Sequence, residues 1–452
     1  MTKKKKLLLK IFYYFFISLV LLFLAGVCLG IIFYASGYEL NWQAKKIEKT
    51  GMLVINSDES GLKLFLDNKE VTISKSLSAS IFNSVYKISL LPGEYDLEIK
   101  KDGRKSYLQK IKVEPELVTK IENILLLPKA IPDAKLIEKN ITRYSFSPDN
   151  KKVIYQTADQ KIFIYDLEKK QDQEFTQIKF SDKVGFDQWD QNSQRVILET
   201  PGKASKNYYL IDIENPKNSF LFSDKLSFLP LLDQLFPSPT NANEYFGLEK
   251  NTLYKINPDQ NSTEKIAENI DHLILDKNHF YYSDGKNLIR LDPNSSNKDI
   301  LLENFELAYD FNLKTINREN DVYFINNGSL YFIKDNNNLE LIDNEVKSII
   351  VEANDQSFFY TKDFEIWHYD GTQKNMLTRF SKEIQNLQEF FEDKYLLYQQ
   401  EKDINLIKKD GLFFETINNN ILDVKVLDKD KILIIEKSNE LTSFRVMDLS
   451  KS

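Results

Sequence analysis

The chain has 452 residues, 42% hydrophobic and 28% charged, an ordinary globular mix with room for two to four domains. Its one cysteine, Cys28, excludes an intrachain disulfide, so the fold must rest on packing. The net charge of −7 deepens to −12 once the five lysines of the first ten residues are set aside, and an acidic body is a poor electrostatic match to nucleic acid.

The amino terminus opens on "KKKKLLLK", a basic tail over 1–10 that holds Lys3, Lys4, Lys5, Lys6 and Lys10. From Ile11 to Ala35 no residue is charged. As a helix, that run of 25 residues spans about 37 Å, enough for a bilayer core of about 30 Å. Tyr13, Tyr14, Tyr34, Tyr38 and Trp42 lie near its two ends, where aromatic rings favour the membrane interface. The spacing therefore predicts a transmembrane helix over 11–35. The lysine cluster places the amino terminus in the cytoplasm and the bulk of a single-pass cell-membrane protein outside it. The competing reading is a signal peptide cleaved near Ala35-Ser36-Gly37. Against it stands the length of the apolar run, well beyond the roughly 7–15 residues of a signal core. Gly26 and Gly30 form a G-x-x-x-G pair that lets two helices approach, a candidate contact for a weak homodimer.

A polar linker over 36–50 leads to a strand-rich module over 51–128. "GMLVINS", "LKLFLDN", "YDLEIKKDG" and "SYLQKIKVEP" are short alternating runs parted by Gly, Asn, Asp and Pro. Pro92-Gly93 predicts a tight turn, and Asp102-Gly103 a hairpin turn. The opening strand Gly51–Ser57, the turn at Ser60-Gly61, the strand Leu62–Asn68 and the "L-x-P-G-x-Y" run Leu90–Tyr95, leading into Leu97–Gly103, resemble the PEGA family. "DESG" stands where that family's naming tetrapeptide falls, and "VTISKSLSASIFNSVYK" replaces its usual Gly-x-Thr-Pro stretch. The resemblance implies a small β-sandwich at a bacterial cell surface, with a spacer or adhesion role rather than catalysis.

Residues 129–452 repeat. "VIYQT" at 153 is followed by "KIFIYDLEKK" at 161, and the same couple recurs with second members at 208, 252, 287, 329, 365, 403 and 442. The mean step is about 40 residues, with a strand before each couple and an outer strand after several. Four short strands in a period of about 40 mark a β-propeller blade, whose bare face is covered by the next blade. The last copy runs out after its third strand, and an orphan strand, Ala134–Lys139, precedes the first. Together they predict ring closure by Ala134–Lys139. The count comes to eight blades, with seven as the rival because the copies near 196 and 245 are long. "SFSPDNKKVIY", with Asn150 where a Gly is usual, and the degenerate "DQWDQNSQRVILE" resemble the repeats of TolB-like and tryptophan–aspartate-type propellers. The fold class expected is all-β after one membrane helix.

Motifs for chemistry are absent. His272, His279 and His368 have no zinc spacing, and read as structural residues. There is no G-x-S-x-G elbow and no phosphate-binding glycine loop. Acid pairs such as Asp187/Asp190 read as turn residues, and "KDNNNLELIDNE" (Lys334–Glu345) as a polar hairpin rather than a calcium loop. Tyr208, Tyr209, Tyr281, Tyr282, Phe358 and Phe359 read as core between blades. No catalytic residue, metal or cofactor is expected. The favoured function is a non-catalytic envelope scaffold that binds a protein or envelope polymer on a propeller loop face. The alternative is a cell-wall carbohydrate-active enzyme, a propeller glycosidase or lyase. It needs carboxylates converging on the channel, and "YSFSPD", "DHLILD" and "AYDFNL" share no acidic position.

Overall fold

The computed structural model describes residues 3–449 except 43–44, 58, 72–73, 76–83, 130–132, 179, 181–182, 203–205, 227–230, 277–278, 309–310, 316–321, 335–337, 352–356, 392–393, 412, 419–420 and 439–440. The chain divides into a first unit that ends at residue 131 and a second from 132 to 449.

The first unit begins with a helix over Lys3–Ala35. Within it Phe12–Phe33 is long and apolar enough to cross a membrane, a test that an anchor and a signal sequence both pass. The helix starts at Lys3 rather than at Ile11, so it takes in most of the basic tail. Lysine and leucine are good helix formers, and extending a formed helix is far easier than nucleating one. The stretch 36–50, expected as linker, instead carries an antiparallel ribbon of Tyr38–Asn41 with Lys46–Lys49. Gly37 turns the chain out of the helix at φ +78°, and Thr50 Oγ1 donates to its carbonyl at 3.0 Å.

Two four-stranded sheets follow. In one, Gly51–Ser57 lies between Val118–Ile121, which is parallel to it, and Ser84–Leu90, which is antiparallel. In the other, Gly93–Lys100 pairs with Lys63–Leu66 and with Tyr107–Val113. Gly51–Ser57 and Tyr107–Val113 bury every second residue, as strands with one covered face must. Tyr95 donates its hydroxyl to the Leu91 carbonyl at 2.8 Å, which pins the Pro92-Gly93 turn from the residue that follows it. Much of the 71–87 segment, where the sequence departs from the PEGA pattern, lies outside the described residues.

The second unit holds, among the described residues, eight four-stranded sheets. In the first, Ile141–Phe146, Lys152–Thr157, Ile162–Asp166 and Gln171–Phe175 pair in chain order, all antiparallel. Asn150, in the turn after the first strand, sits at φ +56°, a left-handed conformation that Asn tolerates better than most residues. Packing between sheets runs in a cycle. Ile154 and Ile164 of the first sheet meet Val196 and Leu198 of the second, and Tyr208 of the second meets Tyr245 of the third. Phe246 meets Phe280, Tyr281 meets Phe324, Tyr323 meets Phe358, and Phe359 meets Leu396, carrying the core on to the seventh sheet. Asn386 and Gln388 of the seventh then donate to the Val424 carbonyl of the eighth.

The eighth sheet closes the cycle. Asp423–Asp428, Lys431–Ser438 and Leu441–Asp448 pair in order, and Asp133–Lys139 adds the fourth strand, with Ala134 opposite Val446 and Lys139 opposite Thr442. Leu433, Ile435 and Phe444 pack on Val153, Tyr155 and Tyr165 of the first sheet. Lys139 Nζ reaches Asp172 of the first sheet at 2.6 Å and lies 3.4 Å from the Phe163 ring centroid. The buried Tyr155 donates its hydroxyl to the same carboxylate at 2.8 Å. At the inner edge, Tyr144 donates to Asp423 at 2.9 Å.

These contacts fix an order of effects on stability. Tyr155→Phe removes a hydrogen bond to a charged group and is expected to cost about 1–2 kcal/mol, while Lys139→Ala costs about 1 kcal/mol. Deleting residues 133–139 bares the third strand of the last sheet and is expected to cost far more than both together. Thermal melting of the full chain in detergent checks the ranking; a deletion no worse than the point changes would show that the closing strand carries little of the ring's stability.

Candidate functional site

Among the described residues, two of the polar gatherings of the second unit are candidate sites. One is the inner edge of the seam between the seventh, eighth and first sheets. Asp423 there accepts from Tyr144 and, at 2.8 Å, from Asn386 Nδ2. Burial, and then the neighbouring Asp423 carboxylate, push the Tyr144 phenol well above its ordinary range. Gln388 donates to Asn386 at 2.7 Å and accepts from the Val426 N–H at 2.9 Å. Each group in this network is matched to another, which makes it a seam fastening.

The other is a cleft of about 340 Å³ between the second and third sheets. It exists because the second sheet breaks the repeat. Its outer strand shrinks to Phe220–Leu221, and a one-turn helix, Phe222–Lys225, takes over from it. Asp212, at the end of the third strand, organises the turn before it. Its Oδ1 accepts the N–H groups of Glu214 at 3.1 Å and Asn215 at 2.8 Å, and its own N–H donates to Ser219 Oγ at 3.0 Å. Pro216 then fits the start of a 3₁₀ turn, Pro216–Asn218, where its fixed φ costs nothing.

The cleft lies at the rim where first-to-second and third-to-fourth strand connections emerge. Arg195 begins the second strand of its sheet, and Tyr245 begins that of the next. Asn243, Pro258 and Asp259 complete the far wall. Arg195 Nη1 donates across the gap to the Ala242 carbonyl at 2.5 Å and to Asn243 Oδ1 at 3.3 Å, and its Nε lies 3.8 Å from the Asp212 carboxylate. Tyr245 is buried beneath, edge-on to Phe222 with ring centroids 4.9 Å apart. Burial pushes its phenol up to about 12, against the pull of Arg195. At neutral pH it is a hydroxyl and not a phenolate. Lys217 and Lys225 are exposed at the mouth, and neither has a carboxylate partner among the described residues. Lys225 Nζ stands 5.6 Å from the Phe220 ring centroid.

The residues singled out in the sequence fall elsewhere. Lys3, Lys4, Lys5, Lys6 and Lys10 lie on the first turns of the long helix. Gly26 and Gly30 share one helix face, with open space where a Cβ would stand. His272 and His279 lie on neighbouring strands but not opposite one another. His368 stacks on Phe359 at 4.6 Å. Among the described residues no three metal-ligating side chains gather. Asp190 is a turn staple that accepts the N–H groups of Gln194 and Arg195 at 2.8 and 3.0 Å, while the side chain of Asp187 and residues 335–337 of the polar hairpin lie outside the description. Tyr208, Tyr281, Tyr282, Phe358 and Phe359 are buried, and Tyr209 packs edge-on against Phe180. The cleft itself has no motif. Its one sequence signal is length: the second repeat, from Gly185 to the next first strand at Gln234, is longer than the mean of about 40 residues, and the excess includes Glu214–Asn218.

No family model matches the chain, and no curated protein does, so the PEGA resemblance of 51–128 stands on its residues alone. Solved structures are similar. The eukaryotic initiation factor is 12% identical, with a TM-score of 0.51 over 80% of this chain and 94% of that one. The C-terminal WD40 domain of Sif2 is 10% identical, with a TM-score of 0.48 over 69% and 97%. The WD40 domain of SCAP from fission yeast is 10% identical, with a TM-score of 0.43 over 71% and 98%. At such identities the likeness speaks of fold alone: the second unit is a β-propeller.

Arg195 spans the cleft, so its loss should loosen the far wall first. Arg195→Ala is expected to destabilise the protein by about 1–2 kcal/mol, as it removes charge-assisted bonds and strips Asp212 of its cation. Hydrogen exchange should rise across 238–244 before it rises elsewhere. Uniform exchange, or no change, would show that the guanidinium does not hold the loop.

Proposed function

We propose that this protein is a membrane-anchored scaffold that holds a β-propeller outside the cytoplasm and binds a protein or an envelope polymer on one loop face. The observation that carries the reading is the polar cleft at the rim between the second and third sheets, open to solvent on a ring whose interior is fastened. Each of the eight sheets is one blade. The helix around Phe12–Phe33 is an uncleaved anchor, its side set by Lys3, Lys4, Lys5, Lys6 and Lys10. The 51–128 module is a PEGA-like spacer of a bacterial envelope, and Gly26 with Gly30 gives a weak helix–helix contact. The buried Tyr245 hydroxyl and the turn acid Asp212, engaged by two backbone N–H groups and beside Arg195, suit recognition rather than turnover. The acidic body makes nucleic acid an unsuitable partner.

Protease added to intact cells is expected to digest the chain beyond about residue 37 and leave the helix in the membrane fraction. The full chain, solubilised in detergent, is expected to retain an intact partner from envelope extract. A protected propeller, or a mature amino terminus near Tyr38, would overturn the anchor and its orientation. Release of cleaved sugar from the captured partner would overturn the scaffold in favour of the carbohydrate-active enzyme.

A further inference from the structure

We infer that the cleft between the second and third sheets binds an acidic sugar, a pyranose unit bearing one carboxylate, within a short oligosaccharide; this rests on the scaffold reading above and names its ligand. The charge balance at the site is the first argument. Arg195 is matched by Asp212, which leaves Lys217 and Lys225 against Asp259, one cation in excess. That surplus fits a ligand with one negative charge per unit, and it sits on a body whose overall charge is negative. The second argument is the rest of the lining. Asn218, Ser219 and Asn243 carry amide and hydroxyl groups that suit sugar hydroxyls, and the Phe220 ring and Pro258 offer flat apolar faces. The third is size and shape. A volume of about 340 Å³ is near the lower end for small-molecule sites, enough for a sugar unit or two. The sheet edge that lines the cleft among the described residues, Phe220–Leu221, is two residues long, too short to add a peptide strand.

The test is calorimetric titration of the full chain in detergent with an oligomer of glucuronic acid, with a glucose oligomer of equal length and with a glycerol-phosphate oligomer. The uronate is expected to bind best, and more weakly as salt rises. K217A/K225A should weaken that binding by about tenfold or more with an unchanged melting temperature, since both side chains are exposed, and K217R/K225R should restore most of it. Equal binding of the glucose oligomer, tighter binding of the glycerol-phosphate oligomer, an unaltered double variant, or no binding by any of the three would overturn the inference. The same preparation is run against envelope extract. A partner captured without uronate binding sinks the sugar and leaves the scaffold standing; loss of both sinks the scaffold as well.

Discussion

Burial of one sheet's face against the next is the force on which the ring depends. A four-stranded sheet cannot cover its own apolar face, and here the second strands carry the side chains that must be covered. Tyr155, Phe246, Phe280, Phe324, Phe358 and Tyr395 are all fully buried. Removing one such side chain from water is worth about 2–3 kcal/mol, and edge-to-face pairing adds to it. Those pairs recur at the seams: Phe246 with Phe280 at 4.9 Å and Tyr323 with Phe358 at 4.8 Å. A row of such sheets would leave one face bare at each end. Joining the ends removes both bare faces at once, so Phe444 meets Tyr155 at 6.1 Å as an interior seam and not as an end.

That logic explains which parts of the fold were legible. The second strands are written in runs such as "VIYQT" and "FFYTK", because both of their faces are buried and only apolar side chains suit them. The closing strand was legible by subtraction, as a strand with no couple of its own beside a repeat that lacked one. First strands were harder. His272–Asp276 is half-buried throughout, so neither apolar runs nor alternation mark it clearly. The ribbon at 36–50 was missed because "YELN" and "KIEK" are short and mostly polar, with bonds such as Asn41 to Glu48 at 2.7 Å that composition does not reveal. The start of the long helix was missed for another reason. The uncharged run marks what a membrane tolerates, whereas a helix ends where its backbone bonds end, and lysine does not interrupt them.

The cleft was invisible to motif reasoning because it is an interruption. Its parts come from four separate connections: the start of one second strand, the turn after one third strand, and the two matching turns of the next sheet. Only the superposition of sheets brings Arg195 within reach of Ala242, 47 positions away. What the sequence does record is the surplus length of the second repeat. In a cyclic fold a repeat of unusual length cannot widen the ring without opening a seam. The added residues must go outward, to the rim, and that is where Glu214–Asn218 and the one-turn helix stand.

The electrostatics of the rim follow from distance rather than from totals. At physiological salt, exposed charges farther apart than about 8 Å scarcely influence one another. The −12 left after the basic tail is spread over more than 400 residues, and many of the carboxylates are held in place by near neighbours, as Asp172, Asp190 and Asp343 are. Asp343 shows this best. Burial would raise its pKa, but the Tyr360 hydroxyl, the Asn344 N–H, Lys362 and Lys374 together hold it below the usual carboxylate range. An acid fastened in that way contributes little field at the far rim. Lys217 and Lys225, by contrast, are exposed and have no carboxylate partner among the described residues, so their field is what a ligand entering the cleft meets first. A net acidic protein can therefore offer a locally basic mouth to a small anion, while its overall charge still disfavours a long polyanion such as nucleic acid.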